Sequence, residues 1–364
     1  MPYKISGTLS DAARIIVLKE SDWSIESNTE ESNSAYTVED LAVGKKFTIA
    51  RKSDGEVVAY GDVDSVYYVP PPGDRGLFGG GNYTDTIDYI TISSTGNASD
   101  FGDLYTGLRS LASTSNGSNN RGVFGGGETA FNKRTTLVYV TIITPSNSTS
   151  FGNLTQKRSK LAGTSNATGD RGVFGGGNDS SDLNIIDYIT ISSIGDATDF
   201  GDLRSNRYYH DSAISNGTND RGVFGGCWDV DDYITISSTG NASDFGNLTQ
   251  NRRLLSAVSN GTNNRGVFIG GFSGGSVVYN IMDYITISSI GDATDFGDLA
   301  TARGHSGSAD NSTNNRGVTG GGLTTAGGVM TNEISYITVT STGNSTDFGD
   351  LSAATKELTA TSNA

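Results

Sequence analysis

Residues 171–203 read RGVFGGGNDSSDLNIIDYITISSIGDATDFGDL, and this stretch decides the fold. Its opening, Arg171-Gly172-Val173-Phe174, is a short apolar strand running into glycines. Further on, Tyr188, Thr190 and Ser192 alternate with Ile189 and Ile191, the period of two expected of a half-buried strand. The turn Ile194-Gly195-Asp196 leads into the segment 198–203, and a fourth strand is expected around 212–216. Asn216-Gly217-Thr218-Asn219-Asp220 then supplies residues that tolerate the positive φ of a tight turn. Four short strands without a helical period make one propeller blade.

The stretch recurs. Arg-Gly pairs stand at Arg75, Arg121, Arg171, Arg221, Arg265 and Arg316, at spacings of 46, 50, 50, 44 and 51 residues. Phe-Gly pairs track them at Phe101, Phe151, Phe200, Phe245, Phe296 and Phe348. Residues 74–364 therefore hold six units of blade length. The series opens on a second strand at Arg75 and closes on a first strand at 358–364, so the C-terminal strand is expected to complete the blade begun at Arg75.

The strand order resembles a kelch repeat across residues 74–364. An arginine near a first strand (Arg109, Arg158, Arg207, Arg252 and Arg303, with Lys356 in the sixth unit) precedes a second strand ending in a glycine pair such as Gly79-Gly80. A tyrosine strand and an aromatic follow, although Phe101 and its equivalents replace the usual Trp, and Val138 and Ser150 make one unit degenerate. The resemblance implies an all-β chain with a six-bladed kelch-like β-propeller closed by the C-terminal strand.

Residues 1–69 have no repeat. Segments 14–20, 35–41, 45–52 and 56–63 alternate as strands do, and a small N-terminal β-sandwich is expected. Its Ser-Gly-Thr near the start and the run DLAVGKKFTIARKSDG resemble transthyretin-like or carboxypeptidase-regulatory-like sandwiches. Pro70-Pro71-Pro72-Gly73 reads as a stiff linker, residues 70–73, between the two domains.

Composition removes several functions. A net charge of −15 with no basic run argues against nucleic acid as a partner. One cysteine makes neither an internal disulfide nor a thiolate zinc site. No apolar run is long enough for a membrane-spanning helix, and residues 1–20 lack the pattern of a signal peptide.

Most candidate sites have a structural reading. The six Arg-Gly corners read as repeat packing, each arginine pairing with an acid such as Asp88, Asp187, Asp232 and Asp283, or Asp100, Asp199, Asp244, Asp295 and Asp347. The glycine runs lack the helix, Lys and hydroxyl of a phosphate loop, so close strand packing explains them better. His210, His305, Cys227, Tyr208 and Tyr209 are the residue types of a copper oxidase site, yet the histidines lie in separate blades; no metal, cofactor or catalytic set is expected. Thirteen Asn-x-Ser/Thr triplets recur because the turns recur, and read as turn residues.

Loop length is the functional clue. The linkers between second and third strands measure 6, 10, 9, 4, 11 and 12 residues while the other turns barely vary. Variable loops on a rigid scaffold are where recognition resides. On that face the sequence places Tyr83, Phe131, Trp228, Asp229, Phe272 and Tyr279, with Tyr105, Tyr208 and Tyr209 nearby and Asn178, Asp179 and Asp231 as polar neighbours. These could hold a sugar or contact protein.

A small sandwich followed by a low-complexity propeller of this style resembles structural proteins of tailed bacteriophages of marine bacteria and cyanobacteria. The resemblance implies a non-enzymatic, homo-oligomeric virion component made in the host cytoplasm without a signal peptide. Its N-terminal domain would dock to other virion proteins, and its propeller would contact host glycan or protein. The alternative is a purely structural head, neck or baseplate protein.

Overall fold

The computed structural model describes residues 73–364 except 208–211, 227–230, 275–276, 326–327 and the side chain of Arg207, together with the backbone of six strands between residues 3 and 64. The chain divides into two compact units, Met1–Val69 and Pro70–Ala364. The linker prolines 70–72 lie outside the described residues.

In the first unit the strands form three antiparallel pairs. Tyr3–Thr8 pairs with Ala35–Leu41, Ala13–Leu18 with Ile25–Glu31, and Lys46–Ser53 with Glu56–Asp64. The four segments with alternating sequence are all strands here, and Tyr3–Thr8 and Ile25–Glu31 join them.

The second unit is a six-bladed β-propeller, each blade a four-stranded antiparallel sheet. In the blade of the opening stretch, Ala162–Ser165 is innermost, followed outward by Arg171–Gly175, Leu183–Thr190 and Thr198–Arg207. The sixth sheet closes the ring: Thr359–Ser362 pairs with Arg75–Gly79, which leads to Thr84–Thr91 and Ser99–Leu108. The phase of the repeat dictates this closure.

The core fills the spaces between blades. Val173, Ile186 and Phe200 of one blade pack with Phe224, Ile234 and Ile236 of the next. Burying each such side chain contributes about 1.5–3 kcal/mol. The Phe of every Phe-Gly pair is at most 3% exposed and meets the tyrosine of its own third strand edge-on at 6.2–6.3 Å.

The glycine of the pair has a different task. A Cβ on Gly201 would lie 2.5 Å from the carbonyl of Gly240 in the next blade. That approach lets Gly240 and Ala242 donate their N–H groups to Phe200 and Asp202, each at 2.8 Å, while Asn241 Oδ1 accepts from Asp202 N–H at 3.0 Å. The outer edge of each outermost strand is thus sealed by the neighbouring turn, which removes an aggregation-prone edge. Asn97, Asn241 and Asn344, all in Asn-x-Ser/Thr triplets, are spent on these turns.

The Arg-Gly corners bind the blades at the other end. The guanidinium of Arg171 lies over Tyr188 of its own blade at 4.4 Å and donates to the carbonyls of Ile236 and Ser237 in the next, at 3.3 and 2.8 Å. Arg75, Arg121, Arg221, Arg265 and Arg316 repeat the stacking at 4.4–4.6 Å. The expected acidic partners are therefore corrected to carbonyl oxygens and a ring face. Asp100, Asp199, Asp244, Asp295 and Asp347 are solvent-exposed, and Asp187 and Asp283 serve another arginine set.

Beneath the corners runs a girdle of six buried asparagines. Asn166 accepts the N–H of Arg171 at 2.9 Å and donates Nδ2 to Asp220 of the next blade at 3.1 Å. Asn116, Asn216, Asn260, Asn311 and Asn363 repeat both bonds.

Among the described residues, three arginines enter the core from the linkers leading into the innermost strands. Arg158 pairs with Asp187 at 3.0 Å, Arg252 with Asp283 at 2.8 Å, and Arg303 with Glu333 at 3.0 Å, beside Ser335, which stands at the aspartate position. All three arginine side chains are fully buried. Burial pulls their pKa below the usual guanidinium range, and the facing carboxylates oppose it. Arg109 does not belong to this set. Its backbone bridge to Glu128 matches that of Ser159 to Asn178 and of Arg253 to Phe272, so the residue equivalent to Arg158 is Leu108.

Candidate functional site

Antiparallel blades place the linkers between second and third strands, and those leading into the innermost strands, at one end of the propeller. Five of the six second-to-third linkers cover 80–83, 126–135, 176–182, 270–280 and 321–330, against the near-identical turns at the opposite end; most of the sixth lies outside the described residues.

Exposed large apolar side chains concentrate on this loop face. Phe131, at the tip of the 128–133 hairpin, is 91% exposed. Val277 and Val329 sit near the tips of the equivalent hairpins, at 56% and 59%. Tyr105 is 45% and Tyr83 38% exposed, and the guanidinium of Arg109 lies over the Tyr83 ring at 4.4 Å. The opposite face carries Ile194 and Ile290 in its turns.

Not every expected contact residue points outward. Phe272 is only 6% exposed and packs edge-on against His305 at 5.4 Å, which corrects its placement on the contact surface. Tyr279 is half-buried, with its N–H donated to Gly271 and its carbonyl accepting from Arg303. Asp231 is fully buried, and Asn178 is held by Asp182 and Lys133. Trp228 and Asp229, with Tyr208, Tyr209, His210 and Cys227, lie outside the described residues.

The structure adds a charged cluster at the mouth of the axial channel. Arg109 binds Glu128 at 2.7 Å and Glu357 at 3.2 Å; Ser159 donates to Glu128, and Ser110 to Glu357. Glu128, Glu333 and Glu357 are the three glutamates of residues 74–364, and each meets an arginine. Their rarity, at positions the repeat does not fill with Glu, was the sequence signal for this cluster.

Ser110, Lys160, Leu254, His305 and Glu357 occupy one equivalent position around that mouth, all at φ between +54° and +61°. Backbone bonds link them: Lys160 donates to Ser110, Ser110 to Glu357, Glu357 to His305, and His305 to Leu254. Burial lowers the pKa of His305 to about 4; Lys356, Lys160 and Arg109 add to the shift and Glu357 opposes it. Between about pH 6.5 and pH 4 the unfolded chain thus binds a proton that the native imidazole refuses, so stability falls as pH drops through that window. His305→Leu installs the residue already present at Leu254 and should remove on the order of 2 kcal/mol of that acid sensitivity. Thermal unfolding at pH 7 and pH 4 measures it, and an equal acid loss in both proteins would refute it.

Among the described residues, no group of three His, Cys, Asp or Glu is placed to hold a metal ion, and no helix is long and apolar enough to cross a membrane. No protein-family model matches the chain, and no curated protein does. Among solved structures it is similar to one titled "Structure of YjhT", with a TM-score of 0.53 and 9% identity over 70% of this chain and 87% of that one. At that identity the likeness shows the fold alone, that of a β-propeller.

Proposed function

We propose that the protein is a non-enzymatic virion component of a tailed bacteriophage, a kelch-like propeller whose loop face binds a host surface polysaccharide or protein. The N-terminal unit, read as a small β-sandwich, docks the propeller to other virion proteins, in a homo-oligomeric tail or fibre appendage. One observation carries the binding role: Phe131, Val277 and Val329 stand exposed in the longer loops of the variable face, with Tyr83 in a shorter loop and Tyr105 near the end of the strand Ser99–Leu108. Tyr83 with Arg109, Glu128 and Glu357 beside it offers a ring face next to charged hydrogen-bonding groups, the combination suited to a sugar. Phe131, Val277 and Val329 favour a second reading, protein packing within a head, neck or baseplate, because aliphatic tips suit a protein surface better than a glycan.

Immunogold electron microscopy of the particles, with antibody against the full chain, tests the assignment. Label at tail tips or fibres is expected. Label on head or neck selects the packing role, and unlabelled particles overturn the virion reading. Binding of the purified protein to host cells should then fall about tenfold or more in Phe131→Ser or Tyr83→Ala, as for residues central to an interface. Unchanged binding in both variants would remove the loop face from recognition.

A further inference from the structure

The innermost strands ring the propeller axis, and at their fourth position stand Ser115, Ser165, Ser215, Ser259, Asp310 and Ser362. Five blades place a hydroxyl there and one a carboxylate. All six residues line a single cavity of about 120 Å³ in the end of the channel beside the 3-10 turns. Thr114, Thr164, Ser308 and Thr361 add hydroxyls to its wall, and no Lys, Arg or His lines it.

The hydrogen bonds of this ring leave it able to bind more. Ser165, Ser215 and Ser259 each accept the backbone N–H two residues on, at 3.2, 3.3 and 3.4 Å. Asp310 accepts from Ser312 N–H through Oδ1 at 3.1 Å and from Ser259 N–H through Oδ2 at 2.9 Å. A carboxylate offers about four lone-pair sites, so both oxygens retain capacity. The buried Ser308 Oγ in the same wall has no hydrogen-bond partner. A half-buried negative charge recessed among hydroxyl oxygens, without a basic side chain beside it, calls for a cation.

We propose that this ring is a binding site for one small monovalent cation, such as potassium, sodium or ammonium, held by the Asp310 carboxylate and the surrounding hydroxyls. A single side-chain carboxylate among hydroxyl oxygens suits a charge of one; a divalent ion held by protein oxygens draws on several carboxylates or retains its own water. Burial pushes the Asp310 carboxyl up to about 6 against its two backbone donors and the Ser259 hydroxyl, as expected where no counter-charge is built in.

The test is thermal unfolding of the full chain at pH 7.5 and fixed ionic strength, exchanging N-methylglucamine chloride for potassium, sodium or ammonium chloride. Asp310→Ser is the control, since it installs the side chain that the other five blades already carry. The expected result is a melting temperature that rises with the logarithm of small-cation concentration, by about 5 °C at a hundredfold excess over Kd, in the wild type and not in Asp310→Ser. The proposal is overturned if the wild type shows no difference between the salts, if Asp310→Ser keeps the same response, or if only calcium or magnesium chloride produces it. A wild type that responds to pH through Asp310 but not to cation identity overturns it as well, leaving a proton as the sole occupant.

Discussion

Arg158→Leu alone and Asp187→Val alone are each expected to cost about 3–5 kcal/mol, because either leaves a fully buried charge without its partner. The double variant should recover most of that loss. Nature has made the same exchange in this chain: the blade whose third strand carries Val138 in place of the aspartate receives Leu108 in place of the arginine, and both are 3% exposed. Charge and counter-charge are absent together there, and an apolar pair fills the site. Replacing a buried ion pair by packed hydrophobic residues is often neutral or stabilising.

Recovery in the double variant should be incomplete for a reason visible in the native pair. Asp187 also accepts the N–H of Thr155 at 3.0 Å and its hydroxyl at 2.6 Å, and Arg158 donates to the carbonyl of Phe174 at 3.2 Å. In the Leu108 blade the residue equivalent to Thr155 is the solvent-exposed Tyr105. Urea unfolding of the four proteins gives the coupling energy by a double-mutant cycle, expected to be at least about 2 kcal/mol. Additive losses would mean that the pair is not energetically coupled and that Leu108 with Val138 is not its counterpart.

This pair also shows where the sequence was legible and where it was not. Blade number, strand order and ring closure follow from periods that any residue in the unit repeats, so they were readable. The arginine alignment failed at Arg109 because it stands one residue after Leu108, and in extended chain a one-residue offset turns an inward side chain outward. Acidic partners are what charge alone suggests for the corner arginines. Their actual acceptors are carbonyls in the next blade, 65 and 66 residues away for Arg171, which no local spacing reveals. The variable loop face was readable from linker lengths. That Phe272 turns in while Phe131 turns out was not, since it depends on His305 arriving from the following blade to cover the Phe272 ring.

Removing residues 358–364 should lower the melting temperature by about 10 °C or more and make unfolding less cooperative. The segment supplies the innermost strand of the blade that begins at Arg75, so its loss bares the edge Arg75–Gly79 at the centre of the ring. Leu358 leaves the cluster formed by Phe78, Ile90, Ile92 and Phe348. Asn363 takes with it the acceptor of Arg75 N–H at 2.9 Å and the donor to Asn120 at 3.0 Å, opening the asparagine girdle at one junction. Thr359 and Ala360 also give up their bonds to Ser113 of the neighbouring blade. A closed ring spreads the cost of opening over every blade, whereas an open array unfolds from its ends. Asn363→Ala separates the contributions: it removes the side-chain bonds but keeps the strand, and should cost about 1–3 kcal/mol, the price of leaving buried partners unpaired. Thermal unfolding of the three proteins, with sedimentation to detect association through the bared edge, decides the matter. A truncated protein that melts with the wild type would mean that the five intact blades hold the ring without closure.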